Sequence, residues 1–188
     1  MLGNLFGHFL DKPLSSVAKK IPLAPNTITI TGFIVTIIAA LILAHNLFWG
    51  GIMILISGLF DMLDGIFARV NNKSTLFGAF LDSVLDRYSD SFLFLGFAWH
   101  FFQMNSITGV SLSLMTMVGA LLVSYTRARA EGLGTDCKVG LMERPERIVL
   151  MAFGALTGWI VHVLWLMLVL IHITVFQRIY HVWKAMKQ

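Results

Sequence analysis

The chain has 188 residues, 57% of them hydrophobic and 13% charged, with a formal net charge of +4 and a mean hydropathy of +0.79. A soluble domain carries about 25% charged residues to cover its surface, so a water-soluble globular fold is excluded and an integral membrane protein is expected. The single cysteine, Cys137, excludes an intrachain disulfide.

In chain order, residues 1–24 read as a juxtamembrane segment. Leu5, Phe6, Phe9 and Leu10 predict a short amphipathic helix lying at the membrane interface. Asp11, Lys12, Lys19 and Lys20 interrupt the apolar residues, and Pro13 and Pro22 break any long helix, so this stretch does not read as a cleaved signal peptide. Residues 25–188 read as one six-helix membrane bundle. A span takes about 20 mostly apolar residues. The first is expected from Ile28 to His45, the second from Leu47 to Val70, the third from Phe77 to Phe102 and the fourth from Thr108 to Tyr125. The stretch from Arg147 to Tyr180 is too long for one span, and Gly154, Gly158 and Trp159 allow a break, which makes two more. The predicted fold is therefore all-α and polytopic, with six transmembrane helices.

Basic residues set the orientation. Lys12, Lys19 and Lys20 precede the first span, Arg69 and Lys73 separate the second and third, and Arg127, Arg129, Lys138, Arg144 and Arg147 separate the fourth and fifth. Arg178, Lys184 and Lys187 follow the last, while the two alternate connections carry no Lys or Arg. Both termini and the basic loops are expected to face the cytoplasm from the cell membrane.

The second and third spans concentrate acid. Asp61, Asp64, Asp82, Asp86 and Asp90 lie where an ionised carboxylate costs at least about 2.5–3.5 kcal/mol. Asp61 and Asp64 are three apart and Asp82 and Asp86 four apart, so each pair shares a helix face. The helices are consecutive and antiparallel, and the four carboxylates are expected to converge just inside the cytoplasmic boundary. Hard divalent cations take such ligands, and two ions would neutralise four carboxylates. Spacing alone leaves open an ion or proton pathway of a transporter, or a structural network with Arg69 and Arg87. Gly65 and Gly78 allow either close approach of a ligand or close helix packing. The six histidines are scattered without metal-ligand spacing, and no nucleic-acid motif is present.

Asp61, Asp64, Gly65, Ala68 and Arg69, then Gly78, Asp82 and Asp86 after a gap of eight residues, match all eight fixed positions of D-x-x-D-G-x-x-A-R … G-x-x-x-D-x-x-x-D. This resembles the CDP-alcohol phosphotransferase family across the whole chain, and Pro25, Asn26 and Thr29 are similar to its P-N-x-x-T segment. The resemblance implies displacement of CMP from a CDP-linked lipid such as CDP-diacylglycerol by an alcohol. It implies two metal ions, Mg²⁺ or Mn²⁺, on Asp61, Asp64, Asp82 and Asp86, with Asp86 also the base. It places the cytidine diphosphate on Gly65, Arg69 and Gly78, helped by Asn26, Thr29 and Thr75, and it implies a homodimer.

For the acceptor, Ser124 to Gly132 and Glu143 to Arg147, read as the connection between spans four and five, resemble S-Y-x-x-A-R-A-E and E-R-P-E-R of bacterial phosphatidylinositol phosphate synthases and their archaeal counterparts. That resemblance implies inositol phosphate, an anionic alcohol held by Arg129, Lys138, Arg144 and Arg147. The alternatives are glycerol 3-phosphate, then serine; from other classes, an ion-coupled transporter or a membrane scaffold.

Overall fold

The computed structural model describes residues 25–70 and 75–187; the side chains of residues 25 and 64–70 lie outside that description. The expected interfacial helix of residues 1–24 therefore falls outside the described residues, as do the side chains of Asp64, Gly65 and Arg69.

Six helices and no strand are found among the described residues. α1 is Pro25–His45, α2 Leu47–Val70, α3 Leu76–Gln103, α4 Ile107–Gly132, α5 Arg144–Thr157 and α6 Ile160–Ala185. By length and composition α1, α4 and α6 are apolar enough to cross a membrane. α2 carries Asp61 and Asp64 towards its end, and α3 carries Asp82, Asp86, Arg87 and Asp90 between its second turn and its middle. α5 has only 14 residues.

Local sequence explains the helix ends. Thr75 caps α3, its hydroxyl accepting from the Gly78 amide at 2.9 Å. Ser106 caps α4 in the same way through Gly109. Gly158 ends α5 at φ 76°, a left-handed cap that glycine adopts without strain. The expected break of the last apolar stretch thus occurs at Gly158. Gly154 stays helical, and a Cβ there would lie 3.0 Å from Ile160. One expectation needs correction. The stretch Thr126 to Gly132 is not a connecting loop but the end of α4, where Arg127 and Glu131 pair at 2.9 Å across one turn.

The helices close into a ring. α1 packs on α2 and α3, α3 on α4, α4 on α6, α6 on α5, and α5 back on α2. Leu43, Ile54, Leu93, Phe94, Phe97, Met151, Leu164, Met167 and Ile171 fill the centre. Small residues set the closest approach: a Cβ on Gly96 would stand 2.6 Å from the Ala40 carbonyl oxygen. The apolar core leaves the end bearing the α2–α3 and α4–α5 connections for polar groups.

Candidate active site

Helices α2 to α6 build this polar end. α2 contributes Asp61; α3 contributes Asp82, Asp86 and Asp90, which form one stripe at four-residue intervals. α5 contributes Arg144 and Arg147 from its first turn, where Pro145 suits the start of a helix. α6 contributes Arg178 from within its last three turns.

Arg144 links the two acidic helices. Its Nη1 lies 2.7 Å from Asp61 Oδ2 and 2.6 Å from Asp86 Oδ1. Its Nε is 3.6 Å from Asp90 Oδ1, too long for a hydrogen bond. Asp82, one turn before Asp86 and half-buried, lies within electrostatic reach of Arg144 and Arg87. Arg147 is more tightly held. Nε and Nη2 donate to Asp90 Oδ2 at 3.1 and 2.5 Å, and Nη1 donates to the Met142 carbonyl at 3.2 Å. Both partners of this pair are buried, Asp90 4% and Arg147 2% exposed.

The segment 133–143 is fastened to α6. Thr174 Oγ1 accepts from the Leu141 and Met142 amides at 3.2 and 3.1 Å. Arg178 donates from Nε to the Val139 carbonyl at 2.9 Å and from Nη1 to the Val123 carbonyl. Lys138 donates to Asp136 at 2.9 Å and holds that carboxyl below its usual range.

Between these elements lies a cavity of about 360 Å³. Asp86 and Asp90 stand on its wall with Arg127, Arg144, Arg147 and Arg178. A separate hollow of about 500 Å³, beside Gly140, Tyr180 and Lys184, holds none of the carboxylates.

The four expected acceptor residues are thus divided. Arg144 and Arg147 reach the cavity, but Arg147 is already bound to Asp90 and Met142. Arg129 and Lys138 are exposed and do not line the cavity; Arg129 lies on the outer face of α4, and Lys138 is turned to Asp136. Arg127 and Arg178 take their place on the wall. Sequence reading assigned both to the positive-inside pattern; an arginine embedded in the apolar run of α6 was the missed signal.

The expected nucleotide residues meet where α1 approaches the start of α3. A Cβ on Gly78 would lie 3.0 Å from Asn26 Oδ1 and 3.0 Å from Thr75 Oγ1. Asn26, Thr75 and Gly78 are therefore neighbours, and Thr29, half-buried, follows Asn26 on α1. A Cβ on Gly32 would come 3.8 Å from Asp61 Oδ1, which puts this region beside the carboxylates.

The donor chemistry fits a hard divalent cation. Asp61, Asp82 and Asp86 offer carboxylate oxygens, the cavity wall contains no cysteine or histidine, and Asp90 Oδ1 is buried without a hydrogen-bond partner among the described residues. Among the described residues no three such side chains close on one point; Asp61 and Asp86 close instead on the Arg144 guanidinium.

The CDP-alcohol phosphatidyltransferase family profile matches residues 22–184. This chain belongs to that family. It is therefore a divalent-metal-dependent transferase of phospholipid biosynthesis with a multi-pass helical membrane fold. The transferase is 36% identical to the archaetidylinositol phosphate synthase of Methanothermobacter thermautotrophicus over 191 residues, covering 98% of this chain and 95% of that one. The crystal structure of Mycobacterium tuberculosis phosphatidylinositol phosphate synthase with CDP-DAG bound superposes with a TM-score of 0.83 at 34% identity, covering 92% of this chain and 93% of that one. The same enzyme in complex with manganese and citrate gives a TM-score of 0.82 at 32% identity, covering 92% and 88%. The transporter and scaffold readings give way to membership in an enzyme family.

Proposed function

We propose that this transferase moves a phosphatidyl-type group from a CDP-linked lipid to inositol phosphate and releases CMP. The observation that carries this reading is one cavity whose wall joins Asp86 to Arg127, Arg144 and Arg178. A base and a group of guanidiniums able to take a phosphate, offset in part by Glu131 and Glu143, then share one space. The relatives named for inositol phosphate products support the same acceptor.

In this reading the acceptor's phosphate lies against the arginines, as charge-assisted hydrogen bonding favours. Its hydroxyl faces Asp86. The hydroxyl oxygen forms a bond to the lipid-side phosphorus, the bond from that phosphorus to the CMP oxygen breaks, and Asp86 takes the hydroxyl proton. An aspartate of reference pKa about 3.9 takes that proton in concert with bond formation. When bound, two divalent ions on Asp61, Asp64, Asp82 and Asp86 neutralise the diphosphate and stabilise the leaving CMP. Asn26, Thr29, Gly65, Arg69, Thr75 and Gly78 hold the cytidine diphosphate. Arg178 and Arg147 act by fixing the wall. The same reading takes residues 25–188 as one six-span catalytic unit after a juxtamembrane segment, with both termini and the site on the cytoplasmic side, working as a homodimer.

The test is CMP release in lipid with CDP-diacylglycerol and Mn²⁺, adding inositol phosphate, glycerol 3-phosphate, inositol and serine separately. Release with inositol phosphate alone is expected; release with glycerol 3-phosphate alone would make the enzyme a phosphatidylglycerophosphate synthase. In the same assay Gly78→Ala is expected to raise the KM for the CDP-lipid about tenfold, equivalent to about 1.4 kcal/mol. The added methyl group pushes into Asn26 and Thr75, so the acceptor's KM should change much less.

A further inference from the structure

Two arginines lie three residues apart at the start of α5, and they are held very differently. Arg147 is 2% exposed and engages Asp90 and Met142 through three nitrogens. Arg144 has an 18% exposed side chain and makes both of its short contacts through a single nitrogen, Nη1. Its Nε, buried, finds no hydrogen-bond partner among the described residues, and neither does Asp90 Oδ1 opposite it. A guanidinium can donate five hydrogen bonds in a rigid fork, so this one is only partly satisfied where it sits. It also borders the cavity that holds Arg127. The geometry points to Arg144 as an exchangeable internal cation: a divalent ion bound by Asp61 and Asp86 displaces its guanidinium from those carboxylates into the cavity, where it completes the recess for the acceptor's phosphate.

Guanidinium and metal ion compete for the same oxygens. The Asp61 and Asp86 oxygens that contact Nη1 at 2.7 and 2.6 Å serve either the guanidinium or a metal ion placed between them. Repulsion between two cations then drives the side chain off, and the roomy side is the cavity. The inference rests on the proposed metal and acceptor sites and adds an order to them: metal binding builds the acceptor site. By linkage, the acceptor's phosphate must strengthen metal binding by the same factor.

The test measures the melting temperature of the full chain in lipid nanodiscs, with EDTA and with saturating Mn²⁺. Arg144→Gln is expected to melt about 5 °C below wild type in EDTA, because a half-buried ion pair is lost. In Mn²⁺ the same variant should match wild type, because the guanidinium has already left its carboxylates. Arg147→Lys, whose native pairing with Asp90 is not exchanged, should lose the same amount in both conditions. Equal losses for Arg144→Gln in EDTA and Mn²⁺ would overturn the exchange while leaving the metal site standing. Failure of Mn²⁺ to shift wild type at all would overturn both.

Discussion

Asp86→Asn is expected to lower kcat by about 10³-fold, within the range for loss of a positioned base. The amide keeps the size of the carboxylate but cannot take a proton from the acceptor hydroxyl, and it also weakens the negative charge that faces Arg144. The KM for the CDP-lipid should move by no more than about threefold, below about 0.7 kcal/mol, because Asn26, Thr75 and Gly78 lie on other parts of the site. Turnover above one-tenth of wild type in the CMP-release assay would remove Asp86 from the role of base.

The second large effect concerns stability. Asp90→Ala leaves the Arg147 guanidinium buried without its carboxylate, a loss of about 3–5 kcal/mol, and is expected to lower the melting temperature by about 10 °C. Replacing both partners by apolar side chains, as Asp90→Leu with Arg147→Met, should recover most of that loss, since an uncompensated charge costs more than an absent pair. The two variants measured side by side separate a structural pair from a functional one. If Asp90→Ala melts within about 3 °C of wild type, the Arg147 pairing does not hold α5 onto α3.

These two aspartates also mark what could be read from the sequence. The shared face of Asp82 and Asp86 followed from spacing alone, as did its apposition to Asp61 on the preceding helix. Gly158 located a helix boundary because glycine at a left-handed cap leaves a local backbone signature. Partners from distant segments were not legible. Asp90 and Arg147 lie 57 residues apart, and nothing in the sequence distinguished Arg147, which turns inward, from Arg129, which does not. Both sat in a basic stretch that fitted the orientation rule equally well. The end of α4 was misread for a related reason. Arg127, Arg129 and Glu131 look like loop composition until the Arg127–Glu131 pair is recognised as a helix-surface contact. Arg178 was hidden because its hydrogen bonds go to backbone carbonyls, which no side-chain pattern advertises.

The shortness of α5 has a further consequence. Its 14 residues rise about 21 Å, against about 39 Å for the 26 of α4 or α6. Asp61 lies nine residues, about 14 Å, from the end of α2, and Asp86 ten residues, about 15 Å, from the start of α3. The first residue of a truncated helix therefore meets carboxylates set well down the long ones, and the reaction floor is countersunk rather than flush with the rim. In the proposed reaction a water-soluble acceptor would therefore have to pass about 15 Å beyond the start of α3 to reach Asp86, while a CDP-linked lipid would meet the same carboxylates without lifting its chains out of the bilayer.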